Sequence, residues 1–343
     1  MQRIRSAVAD LPPGAFAFVM ATGIVSIGLD QQGLHLPSLV LLVIAGGAWI
    51  VLLVALAARL VAYRDRVITD LRDPRKAFGF YTIIAGTGVV AVRLLDLDHT
   101  VSAVLLAVAA PVGLLLSYAV PWAAVLSRRE RPALAEANGT WFIWVVASQS
   151  VATTAAGLEP LVGRRQSELA VLAVCAWSVG IVLYAACAVL VALRLTLYPL
   201  DVHELSPPYW VSMGAVAISI VAGAKIVEMD STPIVDATGG LIAGLVVLCW
   251  AWATWLIPVL FAVGVWRHVI HRIPLRYEST WWSIVFPLGM YAVAGMYLGR
   301  ADELPLVEQI GASWLWVAVV AWLYTAGTMA LSWVRPRGST VGA

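Results

Sequence analysis

Charged residues are scarce in this 343-residue chain. Asp, Glu, Lys and Arg make up 12% of it and apolar residues 61%, whereas an ordinary soluble domain is roughly 25% charged. So little polar surface cannot cover a globule of this size in water, which excludes a cytosolic enzyme, a nucleic-acid binder and a disordered scaffold. The three cysteines lie in apolar stretches without metal-ligand neighbours, so neither a disulfide framework nor a metal site is expected.

Sequence motifs of catalysis are missing as well. The chain contains no HExxH, GxSxG or Walker sequence, and no ionisable residue lies inside its long uncharged runs. A carboxylate or histidine within the membrane is the usual relay of a proton-coupled carrier, and an intramembrane enzyme needs at least one such group. We therefore expect no enzyme activity and no cofactor.

Uncharged apolar sequence is what the chain has in quantity. A helix needs roughly 20 such residues to cross a bilayer. Ten runs predict ten transmembrane helices, at 14–29, 36–58, 77–92, 100–126, 139–157, 169–193, 207–224, 238–266, 280–299 and 309–334. The predicted fold is an all-α membrane protein, with a single transmembrane domain over residues 1–343 and short tails at 1–13 and 335–343.

The basic residues predict the orientation of these helices. If the N-terminus is cytoplasmic, 17 of the 22 Lys and Arg residues fall in cytoplasmic segments and five on the other side. Cytoplasmic loops of membrane proteins carry such an excess. Both termini are therefore predicted to be cytoplasmic, and the protein to lie in the inner (cell) membrane.

The odd-numbered and even-numbered runs differ in composition. Leucine occurs 3 times in the 89 residues of the odd runs and 26 times in the 130 residues of the even runs, while Gly, Ser and Thr favour the odd runs. Leucine-rich helices suit contact with lipid, and small residues suit close helix packing or the wall of a watery path. This split predicts five inner, odd-numbered helices around a central pore, with five even-numbered helices outside them.

The odd runs also open alike, with aromatic residues. Their first residues read GAFAFVM, AFGFYTI, GTWFIWV, PPYWVSM and a final TWWSIV, and successive openings lie 62 to 73 residues apart. This spacing indicates a helical hairpin repeated five times. Aromatic belts at the cytoplasmic ends of helices explain the aromatic residues alone, but not the leucine split.

Three cations lie near the far ends of odd runs: Arg93, Lys225 and Arg300. At the mouth of a pore they would create a positive potential that concentrates anions. The simpler interpretation is that each one snorkels or pairs locally, as Lys225 could with Glu228.

Phe286 and Pro287 interrupt the ninth run. Proline removes a backbone hydrogen bond from a helix, and a bulky ring at such a break could plug a pore. A kinked packing helix with a core phenylalanine explains the pair equally well. Small residues partway along the odd runs are the candidates for the pore wall: Thr22, Gly23, Gly86, Thr87, Ser148, Gly214 and Gly289.

The segments PPGAFAFVMATGIVSIG and WWSIVFPLG, together with the ten runs, resemble the tellurite-resistance/dicarboxylate transporter family. That family includes the plant slow anion channels and the fungal malate permease. The resemblance implies a homotrimer of independent pores, each with five helical hairpins about a quasi-fivefold axis. It also implies a phenylalanine of the ninth span that occludes the pore, which here is Phe286.

We therefore expect an anion channel or transporter in the lipid bilayer. Its substrates would be small anions such as chloride, nitrate or sulfite, or C4-dicarboxylates such as malate. A proton-coupled C4-dicarboxylate symporter is the alternative, in which an outer-edge group such as Glu228 or Asp230 would carry the proton. A non-conducting membrane scaffold or receptor is a further alternative.

Overall fold

Ten long helices and two short ones make up most of the structure, a computed structural model that describes residues 2–126, 132–230 and 232–334. The helices are α1 (Gln2–Ala9), α2 (Ala17–Gln31), α3 (His35–Ala62), α4 (Arg64–Leu71), α5 (Thr82–Leu94), α6 (His99–Pro121), α7 (Phe142–Leu158), α8 (Gln166–Leu197), α9 (Val211–Val227), α10 (Pro233–Val265), α11 (Trp282–Ala301) and α12 (Pro305–Val334). Short 3₁₀ segments open α5, α7, α9 and α11 at Ala77–Tyr81, Gly139–Trp141, Pro207–Trp210 and Ser279–Trp281. These described segments contain no β-strand.

The ten long helices coincide with the ten predicted spans. In the described part of the chain, nine are long and apolar enough to cross a membrane, and α2 is apolar but has only 15 residues. The even helices α8, α10 and α12 begin three to five residues earlier than predicted, with Glu168, Asp236 and Glu308 in their first turns. Carboxylates are favourable at a helix N-terminus because of the helix dipole. A search for uncharged runs therefore misses these first turns, which contain a carboxylate but are helical.

The two predicted tails have different outcomes. The tail at 335–343 lies outside the described residues. Most of the tail at 1–13 forms α1, and α4, which was not predicted, follows α3 after a single residue.

Burial separates the ten long helices into two sets. Between 78% and 89% of the most apolar stretch of α5, α7, α9 and α11 is buried, against 17% to 28% in α3, α6, α8, α10 and α12. Helix α2 belongs to the first set, since 11 of its 15 residues are buried. We call α2, α5, α7, α9 and α11 the inner helices and the other five long helices the outer helices. This is the division that the leucine split predicts.

The inner helices form a closed ring. They pack in the order α2, α5, α7, α9 and α11, and α11 contacts α2 in turn. Each outer helix packs on the inner helix that precedes it and on the next inner helix around the ring. The 3₁₀ segments that open α5, α7, α9 and α11 contact one another in that order, so the inner helices begin at the same end of the ring.

Three glycines bring α11 and α12 together. A β-carbon built at Gly311 would lie 2.5 Å from the backbone nitrogen of Met296, and one built at Gly295 would lie 3.0 Å from the α-carbon of Gly311. Gly299, four residues after Gly295, meets the backbone of Glu308 in the same way. Small residues at this spacing let membrane helices approach until their backbones touch.

Replacing Gly311 with Ala is expected to lower the free energy of unfolding by about 1–3 kcal/mol, the usual cost of overpacking. The new methyl group would meet backbone atoms, which cannot turn away. Thermal unfolding of the purified protein in detergent measures the loss. Gly327→Ala on the same helix is the control, because no atom lies within 4 Å of a β-carbon there. Equal melting temperatures for the two variants would contradict this account of the contact.

Candidate functional site

Two cavities lie at opposite ends of the inner ring. The first, which we call the basic cavity, has a volume of about 520 Å³ and lies at the N-terminal ends of the inner helices. The second, which we call the aliphatic cavity, has a volume of about 340 Å³ and lies toward their C-terminal ends. All five inner helices, or the 3₁₀ segments that open them, contribute to the wall of each cavity.

Helix α11 shows how the two cavities are related. Ser283 lines the basic cavity, whereas Met290, Val293 and Tyr297 line the aliphatic cavity. Phe286 comes three residues after Ser283 and four before Met290, a spacing that keeps residues on one face of a helix. Phe286 therefore belongs to the face that lines both cavities, one turn from each. Its side chain is only 1% exposed.

The other inner helices each have a residue at the level of Phe286. The same spacing between wall residues of the two cavities selects Met20, Ala85 and Val146, and on α9 Gly214 lies four residues before Ile218 of the aliphatic cavity. All four are buried. We call these four residues and Phe286 the separating layer. It consists of three residues no larger than valine, one methionine and one phenylalanine, so Phe286 is the largest side chain in the region between the cavities.

Pro287 shapes the backbone beside this layer. A β-carbon built at Gly214 would lie 2.9 Å from Cγ of Pro287, so the glycine makes room for the proline ring between α9 and α11. Proline has no N–H group, and the carbonyl of Ser283 therefore lacks its helical hydrogen bond. Ser283 itself lines the basic cavity.

The hydroxyl residues among the predicted wall residues face the outer helices. Thr22 accepts a hydrogen bond from the indole nitrogen of Trp322 at 3.0 Å, and Thr87 accepts one from Trp49 at 2.9 Å. The hydroxyl of Ser148 donates to a backbone carbonyl of α8. None of these three residues lines the basic or the aliphatic cavity.

The predicted wall glycines lie at contacts between inner helices. A β-carbon at Gly23 would lie 2.5 Å from the side chain of Val89, and those at Gly86 and Gly289 also meet side chains of the neighbouring helix. These three glycines line neither cavity. Only Gly214 belongs to the separating layer.

Two of the three predicted mouth cations differ in burial and surroundings. Arg93 lines the aliphatic cavity, is 7% exposed, and holds Asp30 with a distance of 2.8 Å between Nη2 and Oδ1. Its guanidinium also donates to the hydroxyl of Ser38. Arg300 is half-exposed, pairs with Glu308 at 2.7 Å, and is not part of the cavity wall.

Lys225 is the second cation in the aliphatic cavity. Its ammonium nitrogen lies 4.7 Å from the centre of the Tyr297 ring, and the tyrosine hydroxyl donates a hydrogen bond to Glu228. The carboxylates of Asp30 and Asp96 line the same cavity. Its two cations are therefore balanced by two anionic side chains.

The basic cavity, by contrast, has an excess of cations. Four cationic and two carboxylate side chains line it: Arg59, Arg66, Arg75, Lys76, Asp10 and Asp70. The inner helices also begin here, and the N-terminus of a helix carries a partial positive charge. Both features favour anions in this cavity.

Arg59 is the most buried of these cations. It lies in the last turn of α3, and its side chain is 4% exposed. Its Nη2 lies 2.6 Å from a carboxylate oxygen of Asp70, and its Nε donates to the carbonyl of Ala9. Lys76 approaches the other oxygen of Asp70 at 3.3 Å. The basic residues between 59 and 76 contributed only to the predicted orientation, so their place in a cavity wall was not predicted.

Comparison with known proteins identifies a family whose sequence pattern this chain matches. The model of a family described as voltage-dependent anion channel matches residues 10–330. An uncharacterized membrane protein of Mycobacterium tuberculosis (strain H37Rv) is 55% identical over 143 residues, which cover 42% of this chain and 73% of the relative. Two uncharacterized transporters of Methanocaldococcus jannaschii are 23% and 22% identical, each over at least 92% of both chains. These similarities point to a channel or transporter rather than to an enzyme.

Replacing Arg93 with Gln is expected to destabilise the protein by about 1–3 kcal/mol, because the change leaves Asp30 without its buried partner. The exposed pair of Arg300 and Glu308 gives the control: Arg300→Gln should cost no more than about 1 kcal/mol. Thermal unfolding in detergent measures both variants. A loss for Arg300→Gln as large as that for Arg93→Gln would show that burial does not distinguish the two cations.

Proposed function

The chain belongs to the voltage-dependent anion channel family, and from this premise we propose that it conducts anions along the axis of the inner ring. The observation that carries the proposal is the separating layer. Two cavities approach each other from opposite ends of the ring, and one phenylalanine among four smaller residues stands between them. In this proposal Phe286 is the gate of the pore and Pro287 sets the position of its backbone.

The wall of the proposed pore is the face that the cavities define. It comprises the separating layer, Ser283 on one side, and Met290 and Val293 on the other. Such a wall offers anions weak contacts and no tight site along most of its length, as conduction requires. Arg93 and Lys225 would lie at the far mouth, with their charge moderated by neighbouring carboxylates.

We propose that the basic cavity faces the cytoplasm. Most Lys and Arg residues between the spans lie on the side of this cavity, which the positive-inside rule assigns to the cytoplasm. Both termini would then be cytoplasmic, and the five pairs of an inner and an outer helix would be five repeated hairpins in the inner (cell) membrane. An anion on the cytoplasmic side would meet the cationic side chains and the helix N-termini together.

The proposed substrates are small inorganic anions and C4-dicarboxylates such as malate. Both cavities are large enough to hold either class. The family resemblance further favours a homotrimer in which each subunit has its own pore.

Replacing Phe286 with Ala is expected to raise anion conductance about tenfold or more, which corresponds to a barrier lower by about 1.4 kcal/mol or more. The change removes the largest side chain of the separating layer. Currents of the purified protein in planar bilayers, with chloride, nitrate, sulfite and malate in turn, measure the effect and rank the anions.

Phe16→Ala is the matched control for this experiment. Phe16 is as buried as Phe286 but packs toward α3, in a separate cluster with Ala45 and Val90. Its truncation should reduce stability without raising the current. No current from wild type or Phe286→Ala, with both proteins folded, would contradict the pore and favour a membrane scaffold or receptor.

A proton-coupled symporter is the second candidate, and one contact favours it. Glu228 accepts a hydrogen bond from Tyr297, a residue of the aliphatic cavity wall. A carboxylate placed there could exchange a proton with the pathway. If the protein is a channel, malate uptake into proteoliposomes should follow the membrane potential and persist after the pH gradient is collapsed. Uptake that stops with the pH gradient, and a Glu228→Gln variant that no longer responds to it, would establish the symporter instead.

A further inference from the structure

The wall of the aliphatic cavity is arranged in layers. Four of the inner helices each place two apolar side chains in it, three residues apart; on α9 and α11 these are Ile218 and Val221, and Met290 and Val293. Residues at this spacing share one face of a helix, so the side chains form two successive apolar layers. From Ile218 to Lys225, the next wall residue after Val221, α9 rises about 10 Å. The apolar layers are therefore deep enough for an alkyl chain of medium length.

A polar rim follows the two apolar layers. One turn further along each helix, the wall residue is Gln31 on α2, Asp96 on α5, Lys225 on α9 and Tyr297 on α11. Asp96 is exposed, so the cavity reaches the surface of the protein at this rim, and the separating layer lies at its other end. A ligand that enters through the rim meets the polar groups first and the apolar layers afterwards.

Lys225 is the cation of this wall that lacks an ion pair. Arg93 is engaged by Asp30 and Ser38, but the ammonium group of Lys225 forms neither an ion pair nor a hydrogen bond within the part of the chain that the structure describes. It lies 4.7 Å from the centre of the Tyr297 ring, a contact that supplies no acceptor atom to its N–H donors. Its side chain is partly exposed and lines the cavity, so a ligand can reach it.

The hydroxyl groups of the wall have acceptors already. Ser150 and Thr153 of α7 donate to carbonyls one turn earlier in their own helix, and the hydroxyl of Tyr297 donates to Glu228. The apolar layers thus present no free O–H donor among the described residues, and the rim presents a free ammonium group. A ligand with one anionic end and one apolar end matches this division.

We infer that the aliphatic cavity binds a medium-chain monocarboxylate, with its carboxylate on Lys225 and its alkyl chain between the apolar layers. An inorganic anion would leave the apolar layers without a partner, and a neutral chain would leave Lys225 without one. The cavity volume of about 340 Å³ lies at the low end of the range for small-molecule sites, roughly 300–1,000 Å³, which favours octanoate over a long-chain fatty acid. The end of the chain would lie beside Phe286 and close the pathway there, a consequence that rests on the proposed function, whereas the binding does not.

Three variants probe the two halves of this site. Lys225→Met removes the charge but keeps a long unbranched side chain, and Val221→Phe fills part of the apolar layer one turn away. Asp96→Asn removes a carboxylate of the rim that attracts the same ammonium group. Arg300→Gln is the control, because Arg300 is a cation at the same end of the ring but is not part of the cavity wall. Thermal stabilisation of the protein in lipid nanodiscs, titrated with sodium octanoate, sodium hexanoate, sodium acetate or 1-octanol, gives the Kd of each ligand.

We expect octanoate to bind the wild type about tenfold more tightly than hexanoate, because it buries two more methylene groups. Acetate and 1-octanol should each bind at least about tenfold more weakly than octanoate, since each lacks one half of the ligand. Lys225→Met should raise the octanoate Kd about tenfold through the loss of a charged hydrogen bond, and Val221→Phe should raise it without changing that of acetate. Asp96→Asn should lower it about threefold, because a nearby like charge is gone, and Arg300→Gln should leave it within about twofold of wild type.

Unchanged octanoate Kd values in both Lys225→Met and Asp96→Asn would overturn the inference. Binding of 1-octanol as tight as that of octanoate would do the same, and so would a wild type that octanoate does not stabilise.

Bilayer currents test the step that rests on the proposed function. Octanoate added on the side of the aliphatic cavity should reduce the wild-type current, and Lys225→Met should need about tenfold more of it, in line with its Kd. Octanoate that binds but leaves an existing current unchanged would contradict the closure of the pathway. Octanoate binding by a protein without current keeps the site and removes the channel, whereas current without octanoate binding removes the site and keeps the channel.

Discussion

The common direction of the five inner helices is the constraint on which the rest of the structure depends. An outer helix returns the chain after each inner one, so every inner helix starts at the basic cavity and ends at the aliphatic cavity. The helix dipoles therefore place their positive ends at one opening and their negative ends at the other. At the negative ends, Arg93 and Lys225 lie in the last turns of α5 and α9, where cations are stabilised. The two openings thus differ in the sign of the helix-dipole charge, although the same five helices form both.

The ten long helices and their division into two sets could be predicted from composition, because lipid contact and close packing require different residues. Composition does not predict which face of each inner helix is turned to the axis of the ring. A hydroxyl in a membrane must find a protein partner, and Thr22 and Thr87 find theirs in Trp322 and Trp49 of outer helices. The predicted hydroxyl residues lie on the inner helices, but their hydrogen bonds turn them toward the outer helices and away from the axis. The sequence resemblance to the tellurite-resistance/dicarboxylate transporter family, by contrast, is confirmed over nearly the whole chain.

For the candidate site, too, some residues could be predicted from the sequence and others could not. Phe286 was singled out by the proline that follows it and by the family resemblance, and helical spacing then places it between two cavities. Its four smaller neighbours were missed because small and apolar residues occur throughout these helices, and only the cavities single out one residue on each. Arg59 was missed for another reason. Its importance depends on burial and on its ion pair with Asp70, and the sequence offers only one more basic residue in a basic segment.

The length of α2 has a consequence for the assembly of the protein. Its 15 residues extend about 22 Å, whereas the hydrocarbon core of a bilayer is about 30 Å thick. Such a helix is a poor membrane anchor by itself, and α3, with 28 residues, is a good one. Biogenesis must therefore join them, so that α2 is held across the bilayer by its longer partner from the moment both leave the translocon. On this view the ring is built from helix pairs added one after another, and it closes only when α11 reaches α2.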